Sequence, residues 1–349
     1  MSGIVASNFN ESSGVVAASA AGPTISASDP TISTNATLGT QWANSTSGEF
    51  YVCTDATEDA NIWTNVGAGT DDIKPIFYQG SAFGYVAGGG TDVIDRFSLT
   101  SQADATDVGD LTASRSSPTG GKSTTHGFTQ GYDTGGNVIE KFSFASSADS
   151  SDHGDLSVGR HAAAEASMTT HIYCAGGDGS SDNVIDKCAS ASNANSTDVG
   201  DLTNSIWYVG GNSSETYGYA AGGYPSNNVI QKWSFSSDGN ATDVGDLVTS
   251  RRDTHGTSSE TYGYNSGGYP GANNIEKFAF ASDGNATDVG DMVEGSDLMV
   301  GISATDYGYL CGGRSTANRI ERYSHSSDGN SVDWADLTVN RSLPAGSQS

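Results

Sequence analysis

The fold of this chain is indicated most clearly by one stretch of its sequence. This stretch is Tyr217-Gly218-Tyr219-Ala220-Ala221-Gly222-Gly223, followed by Val229-Ile230-Gln231-Lys232-Trp233. Its first part alternates aromatic and small residues, and its second part is rich in β-branched and aromatic residues, which is typical of two short strands. The two glycines between them fit a sharp bend, because glycine adopts a positive φ without steric cost. A nearly identical sequence occurs at residues 262–268.

The second part of this stretch, an Ile followed by two polar residues and usually an aromatic, occurs six times. The copies begin at Ile94, Ile139, Ile185, Ile230, Ile275 and Ile320, at intervals of 45, 46, 45, 45 and 45 residues. A block like Asp-Val-Gly-Asp-Leu follows each copy, as at residues 107–111 and 243–247. An Arg follows this block in four copies, at Arg115, Arg160, Arg251 and Arg341. Each unit therefore predicts four short β segments in a repeat of about 45 residues.

These features resemble the kelch motif, with its small-residue strand ending in Gly-Gly, its downstream aromatic and its Arg opening the next strand. The resemblance spans residues 74 to 349 and implies an all-β fold, a six-bladed kelch-like β-propeller with four strands per blade. The late Trp of kelch units is missing except at Trp334. WD40 repeats share the period, but no Trp-Asp pair recurs, and β-solenoid repeats are usually much shorter. We therefore predict the propeller at residues 73–349.

The C-terminus provides a test of ring closure. Residues 341–349 match residues 115–123, beginning Arg-Ser and carrying a Pro at the fourth position. We expect them to form the opening strand of the first blade, which would close the ring and remove exposed sheet edges. Residues 76–78 are the alternative occupant of that position.

Composition excludes several classes of partner. The net charge is −26, with 15 Lys and Arg against 41 Asp and Glu, so a nucleic acid would be repelled. No apolar run of 18 residues is present, so membrane insertion is not expected. The N-terminus lacks the basic and apolar regions of a signal peptide. The cysteines, Cys53, Cys174, Cys188 and Cys311, lack metal-ligand spacing and are interpreted as free thiols.

The N-terminal segment has a different composition from the repeats. We predict an extended arm at residues 1–38 and a small β-hairpin module at residues 39–72, with Trp42 and Trp63 as apolar anchors about a Ser-Gly turn. The module is similar to one found in tailed-phage virion proteins, particularly those of marine phages. This resemblance implies that the N-terminal segment attaches to other virion proteins and that the propeller is distal.

The loop after each Gly-Gly is the most variable part of the repeat, and these loops would lie on one face of a propeller. Tyrosine rings there present apolar faces to sugar C–H groups and a hydroxyl for hydrogen bonding. We therefore predict a ligand-binding rim for a glycan; the alternative is that Tyr-Pro only stiffens a turn. The candidate residues are Tyr132, Asp178, Tyr224, Tyr269 and Arg314.

No cofactor is predicted, and calcium is the alternative. Asp-rich turns offer oxygen ligands but lack the order of an EF-hand loop, and Asx-turns explain them too. The residues in question are Asp238, Asn240, Asp243 and Asp246. His126 and His171 replace an aromatic residue in two repeats, either as a metal pair or as a substitution of one ring by another. No Ser-His-Asp pattern is present, so no enzyme activity is predicted, although a glycosidase carboxylate pair stays open.

The sequence thus predicts a phage virion surface protein of the tail-fibre or appendage type, which presents a propeller for recognition of a host-surface glycan or protein. We expect it at the virion surface, on tail or head, after synthesis in the host cytoplasm. A homo-oligomer is compatible with this role. The alternatives are a head decoration or structural virion protein without receptor binding, a glycan-processing enzyme and a bacterial surface adhesin.

Overall fold

The computed structural model describes residues 22–66, 77–179, 182–225, 227–314 and 318–349. All regular structure in these residues is β, and the strands form mostly four-stranded sheets. The chain divides into two compact units, Met1–Ile76 and Phe77–Ser349. The all-β prediction is therefore confirmed.

The first unit contains one four-stranded sheet in the order β1-β2-β3-β4. Its strands are β1 (Thr24–Ser26), β2 (Gln41–Asn44), β3 (Phe50–Asp55) and β4 (Ile62–Asn65), with β1 parallel to β2. Trp63 is fully buried, and its ring lies 5.9 Å from that of Trp42. The predicted hairpin corresponds to β2 and β3, but the sheet also includes β4 and part of the predicted arm. Residues 1–21 of that arm lie outside the described residues.

The second unit contains six antiparallel sheets and one short strand pair within its described residues. In chain order the strands are β5 (Phe83–Ala87), β6 (Thr91–Ser98), β7 (Thr106–Arg115), β8 (His126–Tyr132), β9 (Gly136–Ser143), β10 (Ser151–Asp155), β11 (Arg160–His161), β12 (Ala164–Ser167), β13 (His171–Ala175), β14 (Asp178–Gly179), β15 (Val184–Ala189), β16 (Thr197–Asp201), β17 (Gly210–Ser213), β18 (Tyr217–Ala221), β19 (Asn227–Ser234), β20 (Thr242–Arg251), β21 (His255–Ser258), β22 (Tyr262–Ser266), β23 (Asn274–Ala279), β24 (Thr287–Asp291), β25 (Met299–Ser303), β26 (Tyr307–Gly312), β27 (Arg319–Ser324), β28 (Val332–Asp336) and β29 (Ala345–Gln348).

Five of the six sheets have four strands, in the orders β29-β5-β6-β7, β12-β13-β15-β16, β17-β18-β19-β20, β21-β22-β23-β24 and β25-β26-β27-β28. The sixth has the order β10-β9-β8, and residues 119–122 extend it through bridges from Thr119 to Gln130 and from Lys122 to Gly127. We call residues 119–122, β12, β17, β21, β25 and β29 the first strands of their sheets. The predicted four β segments per repeat therefore correspond to one sheet each.

The C-terminal strand completes the sheet formed by the beginning of this unit. β29 pairs with β5, with Ala345 opposite Ala87 and Gln348 opposite Gly84. The alternative segment lies elsewhere: Gly80 forms a parallel bridge with Ala304, and Ile76 is outside the described residues. Residues 77–80 thus contact the first strands without taking the place of β29.

The core is built from the repeated Ile and from rings that pack between neighbouring sheets. All six repeated Ile residues are fully buried. In the second strand of a sheet, a glycine lies under the aromatic ring of the third strand; a Cβ on Gly218 would lie 2.4 Å from the Trp233 indole. The third repeat pairs Ile172 with Cys188 at this place. There, Ile172 takes the place of the glycine and Cys188 takes the place of the aromatic ring, so the summed side-chain volume of the pair is roughly conserved.

Candidate functional site

A glycine, followed by a second glycine in five of the six repeats, ends the second strand of each sheet with a bend. The first glycine has a positive φ between 62° and 76° in all six repeats, at Gly88, Gly131, Gly176, Gly222, Gly267 and Gly312. A side chain would not fit there either, since a Cβ on Gly131 would lie 2.0 Å from the Arg160 carbonyl oxygen. The residue two positions later therefore lies at the same end of every sheet.

Each of these loop residues faces a residue that lies shortly before a first strand. Tyr224 donates its N–H to the Trp207 carbonyl at 2.7 Å, and Tyr269 donates to the Arg252 carbonyl at 2.8 Å. We call such facing residues the rim pairs, and in five repeats they are Ser116–Asp133, His161–Asp178, Trp207–Tyr224, Arg252–Tyr269 and Asp297–Arg314. The scaffold is the same in each pair, whereas the side-chain chemistry changes from repeat to repeat.

Four of the five residues predicted for the ligand-binding rim are members of rim pairs. These residues are Asp178, Tyr224, Tyr269 and Arg314. Tyr132 instead occupies the place of the second glycine, where the Arg115 guanidinium lies 4.3 Å from its ring centroid. Asp133 takes the rim position of that repeat.

Sequence reasoning did not single out the partners of these residues. His161, Trp207, Arg252 and Asp297 precede the first strands, far from the Gly-Gly loops in the repeat pattern. These positions could nevertheless be found from the sequence, because the residue at this position differs in chemistry between the aligned repeats. The six residues are Ser116, His161, Trp207, Arg252, Asp297 and Ser342. Such chemical variation at one position of a regular repeat indicates a surface under functional selection, or one without packing constraint.

Two adjacent rim pairs form a continuous cluster, which we call the Arg252 cluster: Trp207, Tyr224, Arg252 and Tyr269. The Trp207 and Tyr224 ring centroids are 4.8 Å apart. The Arg252 guanidinium lies 5.1 Å from the Tyr224 centroid and 4.3 Å from that of Tyr269, within the range of cation–π contacts. Tyr224 and Tyr269 are 37% and 44% exposed, and each precedes a cis proline.

Charges of both signs surround this cluster. Arg314 donates to Asp297 at 2.9 Å, and Arg252 lies 3.5 Å from Asp253. Burial raises the pKa of the Asp253 carboxyl to about 6, Asp297 adds to this shift, and Arg252 and Arg314 oppose it. His161 lies about equally far from two carboxylates, 4.0 Å from Asp133 and 3.9 Å from Asp178. The rim therefore offers both donors and acceptors beside exposed aromatic faces.

Two small cavities lie among the first strands. One, of about 80 Å³, includes Gly120, Gly211, Gly256, Gly301 and Glu165 in its wall and is called the glycine cavity. The other, of about 30 Å³, is bordered by Ser167, Ser213, Ser258, Ser303, Lys122 and Gln348 and is called the serine cavity. The glycine cavity also touches Ala162, Tyr208 and Asp253, which are neighbours in sequence of rim residues.

The residues considered for calcium serve separate turns and contacts between sheets. Asp238 pairs with Lys187 at 2.9 Å, and the Asn240 amide oxygen accepts from the Asp201 N–H at 3.1 Å. Asp243 accepts from the Gly245 N–H, and the Asp246 N–H donates to Asn285. Within the described ranges, no group of three His, Cys, Asp or Glu is placed to hold a metal ion. Calcium binding at these residues stays the alternative to the prediction of no cofactor.

The two histidines of the aromatic column do not contact each other in this structure. The Nδ1 atom of His126 hydrogen bonds to the Thr125 hydroxyl at 2.8 Å, and that of His171 to the Thr170 hydroxyl at the same distance. Burial lowers the pKa of both imidazoles, and the nearby Lys141 and Lys187, respectively, add to the shift. Each ring thus takes the place that an aromatic ring has in other repeats.

No family model matches the chain, and no curated protein matches it. Among the described residues, no helix is long and apolar enough to cross a membrane.

Proposed function

We propose that residues 77–349 form a six-bladed β-propeller whose rim binds a host-surface glycan. Support for the ring comes from hydrogen bonds that link five of the six neighbouring pairs of first strands. The Lys122 N–H donates to Ser167 Oγ, and the N–H groups of Ser167, Ser213 and Ser258 donate to Ser213, Ser258 and Ser303, at 2.8–3.1 Å. Ser347 on β29 donates to the Gly121 carbonyl at 2.8 Å. The sixth pair, β25 and β29, approaches closely, since a Cβ on Gly346 would lie 3.0 Å from the Gly301 carbonyl oxygen. A closed propeller requires such a succession of neighbouring first strands.

The Arg252 cluster is the observation that carries the binding function. Exposed aromatic faces pack against the C–H groups of sugar rings, and a guanidinium beside them donates to hydroxyl oxygens. Because Arg252 contacts both tyrosines, the two rings and the charge are held together before a ligand arrives, which reduces the entropy lost on binding. A solvent-exposed surface of this composition, in a chain with few large exposed apolar residues, suits recognition of a polar ligand.

We further propose that the chain is a tail-fibre or appendage-type surface protein of a tailed-phage virion. This proposal is supported by the resemblance to such proteins of residues 39–72 and of the amino-acid sequence of the repeats. The first unit would then attach to other virion proteins, and the propeller would meet the host. A head decoration without receptor binding and a bacterial surface adhesin are the alternatives.

The test is binding of the purified full chain to intact candidate host cells, with and without enzymatic removal of surface glycans. We expect saturable binding that is lost after deglycosylation. Binding that survives deglycosylation would direct the search to a protein receptor. Absence of binding to every host that the parent particle infects would contradict the receptor-binding proposal and favour the decoration.

A glycan-processing enzyme is the second candidate, because two carboxylates with raised pKa line the same cavity. Burial raises the pKa of Glu165 to about 8 and that of Asp253 to about 6. Carboxyls with separated pKa values suit acid and base roles at neutral pH. A cavity of about 80 Å³ holds only a few water-sized groups, so we favour binding. Release of reducing sugar from host glycan by the wild type, but not by Glu165→Gln, would establish the enzyme instead.

A further inference from the structure

Glycine occupies one position of the first strand in five of the six repeats: Gly120, Gly211, Gly256, Gly301 and Gly346. The reason is the close approach of neighbouring first strands. A Cβ on Gly256 would lie 1.8 Å from the Gly211 carbonyl oxygen, and one on Gly301 would lie 1.9 Å from that of Gly256. Main-chain carbonyl oxygens of successive first strands therefore lie beside the glycines that line the glycine cavity.

The third repeat breaks this pattern with Glu165. Its side chain extends over Gly120, and its Oε2 atom lies 2.4 Å from the place that a Cβ of Gly120 would occupy. The Gly346 carbonyl oxygen lies at the same distance from that place. The carboxylate of Glu165 and a main-chain carbonyl thus converge, and Glu165 borders both the glycine cavity and the serine cavity.

No hydrogen-bond donor among the described residues reaches the Glu165 carboxylate. Burial raises the pKa of this carboxyl to about 8, and the charge of Lys122 opposes the shift. The Glu165 side chain is partly buried, and a carboxylate partly removed from bulk water is destabilised unless a proton or a positive charge accompanies it. Carbonyl and carboxylate oxygens are the ligands that hard cations prefer.

The other charged and titratable groups around these cavities do not supply that positive charge directly. Lys122 makes no ion pair with Glu165 within the described residues; its Nζ atom donates to the Gln79 carbonyl at 3.3 Å. Burial lowers the pKa of Lys122 to about 7. His255 accepts from the Met299 N–H, and burial lowers its pKa to about 3, so it is neutral. Asp253 and Tyr208 are not cationic.

We propose that the glycine cavity binds one small cation, with the Glu165 carboxylate and main-chain carbonyls of the first strands as ligands. The cation is either an inorganic ion or the primary ammonium group of a larger molecule that enters from the rim. Both share the chemistry of a compact positive charge that accepts oxygen ligands. This site is independent of the glycan-binding role of the Arg252 cluster.

The experiment is thermal unfolding of the full chain at pH 8.5 and constant ionic strength. Choline chloride, whose quaternary ammonium has no N–H to donate, is replaced in turn by sodium, potassium, calcium or methylammonium chloride. We expect at least one of these to raise the Tm by about 5 °C or more when it exceeds its Kd about 100-fold. A rise with an inorganic ion identifies a resident ion, and a rise with methylammonium alone identifies an ammonium group.

Two variants assign any rise to Glu165. Glu165→Gln removes the charge, and Glu165→Gly introduces the residue that the five other repeats carry, so the second variant is compatible with the fold. Both should lose the rise, whereas Glu58→Gln, which removes an exposed charge, should keep it. An identical wild-type Tm in all salts would overturn the proposal, and so would a Glu165→Gly variant that retains the rise.

Discussion

The guanidinium of Arg341 donates a 2.7 Å hydrogen bond to the carboxylate of Asp95, although 246 residues separate them in the chain. Both side chains are fully buried, and Arg341 also donates to the Val86 carbonyl at 2.9 Å. Arg341 lies shortly before β29, and Asp95 lies on β6. This ion pair therefore fastens the C-terminal segment to the beginning of the second unit.

The same pairing occurs in other repeats, and its exceptions are informative. Buried pairs join Arg115 to Glu140, Arg160 to Asp186 and Arg251 to Glu276. Where Ile206 takes the place of Arg, the acid is replaced by the neutral Gln231. Where Ser296 takes that place, Arg319 pairs with Glu321 at 2.6 Å. In every repeat the buried acid therefore has an Arg partner or is replaced by a neutral residue, because an unpaired buried charge is strongly destabilising.

We expect Arg341→Ile to destabilise the protein by about 3–5 kcal/mol, since it leaves the Asp95 carboxylate buried without its partner. The measurement is urea-induced unfolding followed by tryptophan fluorescence. The double variant Arg341→Ile with Asp95→Gln reproduces the combination found at Ile206 and Gln231, and should recover most of the loss. If the double variant loses as much stability as the two single variants lose together, charge pairing is not the cause.

A second prediction concerns the glycine that lies under an aromatic ring. Gly218→Ala should destabilise the protein by about 1–3 kcal/mol, because the added methyl group would overlap the Trp233 indole in a packed core. Gly22→Ala is the control, since a Cβ there has no atom within 4 Å. The free energies of unfolding of the two variants give the comparison, and equal stabilities would contradict the packing account.

A third prediction concerns pH. The ordinary pKa of Glu165 is 4.5, and burial raises it to about 8 in the folded protein. Between these values the folded protein holds a proton that the unfolded chain has released, so the contribution of Glu165 to stability falls as pH rises. Lys122, with a folded pKa of about 7 against 10.5, contributes an opposite slope only above pH 7. The window from pH 5 to 7 therefore avoids the slope of Lys122. Asp253, with a folded pKa of about 6 against 3.8, also lowers stability as pH rises in this window, so Glu165 is isolated by comparison with Glu165→Gln.

In choline buffers, the Tm of the wild type minus that of Glu165→Gln should decrease steadily across this window. The two Tm values at each pH, measured by circular dichroism, provide the test. Parallel curves for the two proteins would mean that the Glu165 carboxyl does not hold a proton in the folded state. A decrease seen equally with Glu58→Gln in place of Glu165→Gln would assign it to general charge repulsion.

A fourth prediction concerns the guanidinium of the Arg252 cluster. Arg252→Lys keeps the charge but loses the planar group that lies over Tyr224 and Tyr269, so it should weaken binding to glycan-bearing cells by about 10-fold. Arg96→Lys is the matched control, because Arg96 lies 4.7 Å over Phe83 at the far end of β5 from the rim. Equal losses for the two variants would point to a structural effect.

Much of the fold could be predicted from the sequence because each repeat contains a recognisable pattern for its strands. The prediction at residues 217–221 coincides with β18, and the pairing of β29 with β5 follows from the match between residues 341–349 and 115–123. In the first unit, β1 was not predicted, because Thr24–Ser26 is too short and polar to show a strand pattern. Its pairing with β2 depends on a contact that local propensity does not encode.

At most one member of each rim pair was predicted from the sequence. The loop residues after Gly-Gly carry a local signal, whereas their partners in the rim pairs become neighbours only through the register of two distant segments. Tyr132 lies one position before the rim pair of its repeat, because it occupies the place of the second glycine; whether it contacts a ligand stays a prediction. Glu165 was missed although its signal is readable, since it alone interrupts a column of five glycines.

The most direct test of the central claim is the affinity of the full chain for glycan-bearing host cells when the rim tyrosines are removed. We expect Tyr224→Ala and Tyr269→Ala each to weaken binding by about 10-fold, and their combination to abolish it. Phe83→Ala, which removes a ring that is 37% exposed at the far end of β5, should bind like the wild type. Wild-type affinity in the double variant would contradict the assignment of the rim as the binding surface.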